Sequence, residues 1–501
     1  MKVFFTPFRF VLIFVFCVIT ASQTAHAHVG SKDVFETINA GPYKLYVTVR
    51  MPNVIPGVAT VEVRSSGANV SGINITPLPI TGEASKHPPT SDPMKRSSAD
   101  PAFFTGSLWM MASGSWEVRF EIAGEGGVQT ASVPVPAVAL STLKMQRGMG
   151  MILGVLGLFL VASMAGIVAA AVRDARLEPG AIASPNRRRR AILASAGSLV
   201  FMALLIWGGA TWWNAEAASY SLDVYHPLKV DPVLSGNVLD LNVQAFRTES
   251  DRRGRSNNDF LPDHGHLMHL YAIREPEMDA VFHLHPELAG PGNFRISLPA
   301  MPAGDYTLYG DVVHASGFPE TLVSKITVPA TMAGGALGPD DAAAHPQPLN
   351  AGALGDSFTL PDGYVMVWDR PATLTADTGY TFRFHLQDAK GAPAADVQPY
   401  MGMAGHAAFV KTDGTVFAHT HPEGSAAMAA LMLANGNDSS AHAGMEGMDM
   451  SMPMHMDHHS EPISNTVEFP YGFPSAGRYR IFVQMKHGTT IETGTFDAVI
   501  Q

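Results

Sequence analysis

Two apolar segments flanking a short arginine-rich stretch constrain this chain of 501 residues more than any other feature. Residues 149–172 and 191–213 carry no charged side chain. Each exceeds the roughly 20 residues that a helix needs to cross a bilayer. Residues 173–190 between them include Arg173, Arg176 and the run Arg187, Arg188, Arg189, Arg190. Such a concentration of arginine marks a cytoplasmic loop, because short positively charged loops stay inside. Trp207, Trp212 and Trp213 fall near the far end of the second segment, where an aromatic belt meets headgroups. A two-helix transmembrane hairpin then leaves residues 28–148 and 214–501 on the outer side.

Residues 1–27 fit a secretory signal. Lys2 and Arg9 precede an apolar run, and Ala25-His26-Ala27 supplies the small-x-small cleavage pattern. The expected location is therefore the inner membrane of a bacterial envelope, with both flanking parts periplasmic. The only cysteine, Cys17, lies in that leader, so disulfides and thiolate ligands are not expected outside it. A formal charge of −11, with one short arginine cluster, argues against nucleic acid.

The outer parts read as strands. Tyr43-Lys-Leu-Tyr-Val-Thr-Val-Arg50 and Ser115-Trp-Glu-Val-Arg-Phe-Glu-Ile122 alternate with period two. Residues 214–329 and 357–501 look like two copies of one unit, joined by an Ala/Gly/Pro-rich linker over 330–356. Opening strands are expected at 220–225 and 239–246 in the first copy, and at 363–368 and 380–386 in the second. Both copies close with an Ala-Gly turn and a strand, Ala303-Gly-Asp-Tyr against Ala476-Gly-Arg-Tyr. The expected fold is mainly β: three immunoglobulin-like β-sandwich domains outside the membrane plus the helical hairpin.

The copies share a histidine pattern. The first reads Asp263-His264-Gly-His266-Leu-Met-His269, then Val281-Phe-His283-Leu-His285-Pro-Glu287; the second has His406, then His419-Thr-His421-Pro-Glu423. Alignment pairs His269 with His406, His283 with His419, His285 with His421, and His314 with His487. Residues i and i+2 of a strand share a face, so each His-x-His pair converges on one point. The strand bearing His269 or His406 returns beside it as a hairpin, and His314 or His487 is expected to close the set. Three or four neutral imidazoles suit copper(II), zinc or nickel, with copper first in the Irving–Williams order. His264 and His266 have no counterpart in the second copy, so the first site is expected to differ.

The second copy also carries an insert over 442–459. It holds His442, Met445, Met448, Met450, Met452, Met454, His455, Met456, His458 and His459. Its Gly, Pro and Asp residues exclude a core helix or strand, and thioethers are soft ligands that favour copper(I). This moves the expected metal from any late divalent ion to copper.

With these motifs in view, the chain resembles periplasmic copper-handling β-sandwich proteins. The His-x-His-Pro-Glu hairpins look like the secreted YtkA-like and FixH-like domains. The insert is similar to Met-rich loops of copper-resistance and copper-chaperone proteins. The resemblance implies copper capture, chaperoning or resistance, with a copper exporter or respiratory oxidase as partner. It does not extend to the N-terminal unit, which has no His-x-His and is expected to dock or space. A copper-dependent oxidase or other metalloenzyme, and a metal-free structural or assembly partner of an envelope complex, are the alternatives. No nucleophile elbow, phosphate loop or His-Glu-x-x-His helix is present to support an enzyme.

Overall fold

Alternation of apolar and polar side chains sets the strands from the start. In Tyr43–Arg50, Tyr43, Leu45, Val47 and Val49 are buried while the residues between them face outward. This strand pairs with Val34–Ala40 on one side and Gly57–Gly67 on the other. A computed structural model of the chain describes residues 32–178, 180–246, 255–436 and 463–501. The expected signal at 1–27 and the Met/His insert at 442–459 lie outside the described residues.

The N-terminal unit consists of two antiparallel sheets, of five and four strands. Leu45 and Val61 from one and Ile75, Val118 and Phe120 from the other meet in one core. Two helices follow, Arg147–Asp174 and Pro185–Ser221. Both are long and apolar enough to cross a membrane, and almost all their apolar side chains are exposed. Ser195 Oγ donates to the Ala165 carbonyl at 3.0 Å where they meet.

The second helix is longer than expected at both ends. Ser184 caps it by accepting from Arg187 N, and Pro185 occupies its first turn. The four arginines therefore begin a helix rather than fill a loop. At the far end Asn214-Ala-Glu-Ala-Ala-Ser219 is a good helix former, so the helix runs on to Ser221. This overturns the strand expected at 220–225; the first strand of that copy is Val230–Ser235.

Each histidine-bearing copy is again two antiparallel sheets around one core. In the first, Leu239 and Leu241 pack on Leu270, Phe282 and Leu308. In the second, Met366, Phe382 and Phe384 pack on Phe409 and Ile481. The hairpins form as the sequence suggests: His269–Glu275 pairs with Val281–Leu284, and His406–Lys411 with Phe417–Thr420. The linker is more than a spacer. Ala342–Ala344 adds a strand to the free edge of Val281–Leu284, placing Ala342 opposite His283.

The alternation in these hairpins has a consequence that fixes the site. Leu270, Ala272, Phe282 and Leu284 point into the core of the first copy. The residues between them, Tyr271, Ile273 and Val281, point outward and meet Ala408, Val410, Phe417 and Phe482 of the second copy in a separate apolar cluster. The two copies thus pack through the sheet faces that carry the histidines. Arg480 ties them together: its guanidinium pairs with Asp497 at 2.8 Å and donates to the carbonyls of Met278 and Gln347, both at 2.9 Å. Arg480 and Asp497 are both buried. Arg480→Ala should lower the unfolding free energy by about 3–5 kcal/mol, because it leaves a buried carboxylate unpaired. Denaturant melts followed by circular dichroism measure this, and a loss below about 1 kcal/mol would mean that water replaces the guanidinium.

Candidate metal centre

The strand faces bring eight imidazoles together where the two copies meet. His269, His283 and His285 come from the first hairpin, and His406, His419 and His421 from the second. His264 and His266 join from the turn that precedes His269. Nitrogen atoms of His269, His283 and His285 lie within 4.8 Å of one another, and so do those of His264, His406 and His421. The second set therefore borrows a residue from the first copy, where the sequence suggested one separate site per copy. His264 sits at a left-handed φ of 51° in a tight turn in which Asp263 and His266 exchange backbone hydrogen bonds. A non-glycine residue in that region costs on the order of 1 kcal/mol and tends to mark functional positions.

The hydrogen bonds decide which nitrogens are free. His269 Nε2 is 3.0 Å from the Asp263 carbonyl, which can only accept, so the ring's proton is there and Nδ1 is bare. His283 Nδ1 donates to Gln484 Oε1 at 2.8 Å, and the Gln484 amide nitrogen is directed at Thr493 Oγ1. Tyr400 OH, 3.3 Å from the same Nδ1, spends its own proton on the Asp340 carbonyl. His283 Nε2 is then bare as well. These two bare nitrogens face each other at 3.2 Å with no proton between them. Two lone pairs so placed repel unless a cation lies against them.

The other rings follow the same rule. His285 Nδ1 donates to Asp341 at 3.0 Å, His264 Nδ1 to the Met401 carbonyl at 3.2 Å, and His421 Nδ1 to the Ala426 carbonyl at 3.4 Å. His419 Nδ1 lies 3.4 Å from Asp311. In all four rings Nε2 is buried without a partner, as are both nitrogens of His406. Buried polar atoms are rarely left unsatisfied. A ring anchored through one nitrogen with the other bare and turned inward is the arrangement of a metal-bound histidine with its supporting partner. Burial, reinforced by neighbouring imidazoles, drives His269, His283, His406 and His419 well below the usual histidine range. Burial and His264 take His421 down to about 4. These five rings are neutral at physiological pH, the form in which imidazole binds metal.

Two expected ligands do not join the cluster. His314 uses both nitrogens, on Asp259 at 2.7 Å and Glu320 at 2.9 Å. Burial alone would lower its pKa, but those carboxylates outweigh burial and raise it. His487 stacks on Tyr364, with Nε2 2.9 Å from Asp362 though off the line of a hydrogen bond. With Glu492 it forms a separate, mixed group. The reason is strand parity. The residues level with the ring pairs are Asp311, opposite His269, and Gln484, opposite His406. His314 and His487 lie three residues further on, an odd offset that turns them to the other face.

Asp311 and Gln484 occupy equivalent positions and serve reciprocally: Asp311 of the first copy reaches His419 of the second, and Gln484 of the second holds His283 of the first. Sequence reasoning gave neither a role, nor Asp341. For His264 and His266 the His-x-His spacing was the available signal. The insert's His442, His455, His458, His459 and its methionines lie outside the described residues.

The N-terminal unit clamps the segment that follows His421. Thr37 N donates to the Glu423 carbonyl at 2.6 Å, and Ala426 N donates to Glu36 Oε1 at 2.7 Å. Helix Met428–Gly436 comes next, with Ala429 N donating to Asp263 at 2.7 Å. Glu36 is buried, and that burial raises its pKa to about 8; the Ala426 N–H opposes the rise and Glu423 adds to it. Its folded pKa lies above its unfolded one, so the stability it contributes is complete below about pH 4.5 and is lost as pH rises through about 8. Glu36→Gln keeps an acceptor for Ala426 and removes the titration. The variant should gain about 4 kcal/mol over the parent between pH 5 and pH 9, read from unfolding curves at both values. Parallel losses in the two proteins would show that Glu36 is not the titrating group.

A family model described as a domain of unknown function (DUF8832) matches residues 234–330 and 359–501. Those stretches fall within the two histidine-bearing copies and leave out the N-terminal unit and the helices. No curated protein matches the chain. Among solved structures, a bacterial ice-binding adhesin aligns at 7% identity over 92% of this chain and 99% of its own, with a TM-score of 0.15. Alpha-2-macroglobulin of Escherichia coli aligns at 8% identity and a TM-score of 0.19, over 95% of this chain and 23% of its own. PorU of Porphyromonas gingivalis gives 8% and 0.15, over 94% and 34%. This chain therefore spans about a quarter and a third of those last two proteins. Superpositions this loose say nothing of function.

Proposed function

We propose that the chain is a membrane-anchored metal-binding protein of the bacterial envelope that captures copper and passes it on. The observation that carries this is the pair of bare nitrogens on His269 and His283, 3.2 Å apart in a buried cluster of neutral imidazoles. Copper is favoured over zinc and nickel by the Irving–Williams order and by the thioether-rich insert, which suits copper(I). The insert follows helix Met428–Gly436, and that helix is hydrogen-bonded to the turn carrying His264.

In this reading the two apolar helices anchor the protein in the inner membrane with Arg187, Arg188, Arg189 and Arg190 inside. Three immunoglobulin-like units then stand in the periplasm, where a copper exporter or a respiratory oxidase is the partner. Among its described residues the N-terminal unit supplies no ligand to the cluster, and it holds the His421 segment in place.

The test is metal stoichiometry on the full chain in detergent, titrated with copper and then with zinc. The parent should bind about two copper ions at the imidazoles, and more through the insert. The combined change of His283, His285, His419 and His421 to Ala should abolish the imidazole-bound copper while circular dichroism stays unchanged. Deleting residues 442–459 should remove only the additional copper. Absence of copper from every protein would end the proposal, and equal tightness for zinc would remove the case for copper.

A further inference from the structure

The two sets of three imidazoles are too close to act independently. Ring centroids across the sets lie 6.2 Å apart for His264 and His269, 6.2 Å for His283 and His406, and 6.5 Å for His269 and His406. His419 belongs to neither set, yet its ring is 5.3 Å from His269, 5.5 Å from both His283 and His406, and 4.8 Å from His421. Its Nε2 is buried and without a partner, so it can serve an ion in either set.

We infer that the centre holds two copper ions as one bridged, electronically coupled pair; this rests on the copper-binding reading above. Charge carries the inference. Two copper(II) ions bring four positive charges into a buried site, and imidazole as a ligand brings no negative charge to offset them. The nearby carboxylates stand behind the rings: Asp341 on His285 Nδ1, Asp340 on His266 Nε2, and Asp311 beside His419 Nδ1. They accept from or face the outer nitrogens and do not lie between the ions. Like charges so close and so shielded from water repel strongly. A small anion shared by both ions relieves that repulsion. Three imidazoles per ion also leave a fourth position open for it.

Solvent can supply the anion. A cavity of about 130 Å³ reaches the cluster, with His269, His419 and His421 in its wall and Asp263 and Asp311 beside them. A water molecule held by both ions loses one proton to solvent and remains as a bridging hydroxide, a deprotonation that metal binding makes easy near neutral pH. Such a bridge pairs the unpaired electrons of the two copper(II) ions. The bound copper then gives almost no electron paramagnetic resonance signal, whereas isolated copper(II) gives a full one.

The experiment uses the membrane-anchored chain in detergent, with residues 442–459 deleted and His487→Ala introduced so that neither adds copper. Copper(II) sulfate is titrated while total copper and spin concentration are read together. The expected result is two copper ions per chain with almost no signal, and one proton released for the pair. His264→Ala and His285→Ala should each hold one ion and recover the full signal of a single copper(II). Two bound ions giving two full signals would overturn the coupled pair and leave copper binding intact. A single bound ion in the parent would do the same. No bound copper would overturn both readings, and these three outcomes are read on the parent, whatever the variants do.

Discussion

The structure of this protein turns on two imidazole nitrogens that face each other without a proton. His269 and His283 are each tied down through their other nitrogen, one by the Asp263 carbonyl and one by Gln484. Neither can turn to relieve the contact without breaking a buried hydrogen bond, which costs about 1–3 kcal/mol when a partner is stranded. The anchors come from three places: a tight turn, the closing strand of the second copy, and, through Asp341 on His285, the linker. The cluster therefore exists only when both copies and the linker are in register. The Arg480–Asp497 pair and the apolar patch around Tyr271 and Phe482 hold that register.

The duplication explains why the site is shared. Each copy presents its His-x-His hairpin on an outward sheet face, and that face is apolar enough to need cover. Covering it with the other copy buries both sets of rings at one stroke and makes the supporting residues reciprocal. The symmetry is broken in the turn holding His264 and His266, because the equivalent turn of the second copy carries Met401 and Met403 instead. That turn completes the second set and leaves His419 between the two.

Much of this was legible in the sequence, for physical reasons that differ by residue. Period-two alternation located Tyr43–Arg50 and both hairpins, and the i, i+2 spacing placed His283 with His285 and His419 with His421 on common faces. Hydropathy located the helices but not their ends, because Ser184 and the alanines after Trp213 extend the second one by local propensity. The pairing of His314 and His487 across copies was sound as alignment and misleading as chemistry, since strand parity turns both away. Asp311 and Gln484 were hidden because nothing in a single chain tells which residue of one copy will meet a ring of the other.

X-ray absorption at the copper edge of the copper-loaded full chain separates an imidazole centre from a thioether one. The expected spectrum shows a first shell of imidazole nitrogens at about 2.0 Å, lost when His283, His285, His419 and His421 are replaced and kept when the methionine-rich insert is removed. A shell dominated by sulfur at about 2.3 Å, lost with the insert, would contradict it and leave the imidazole cluster as scaffold.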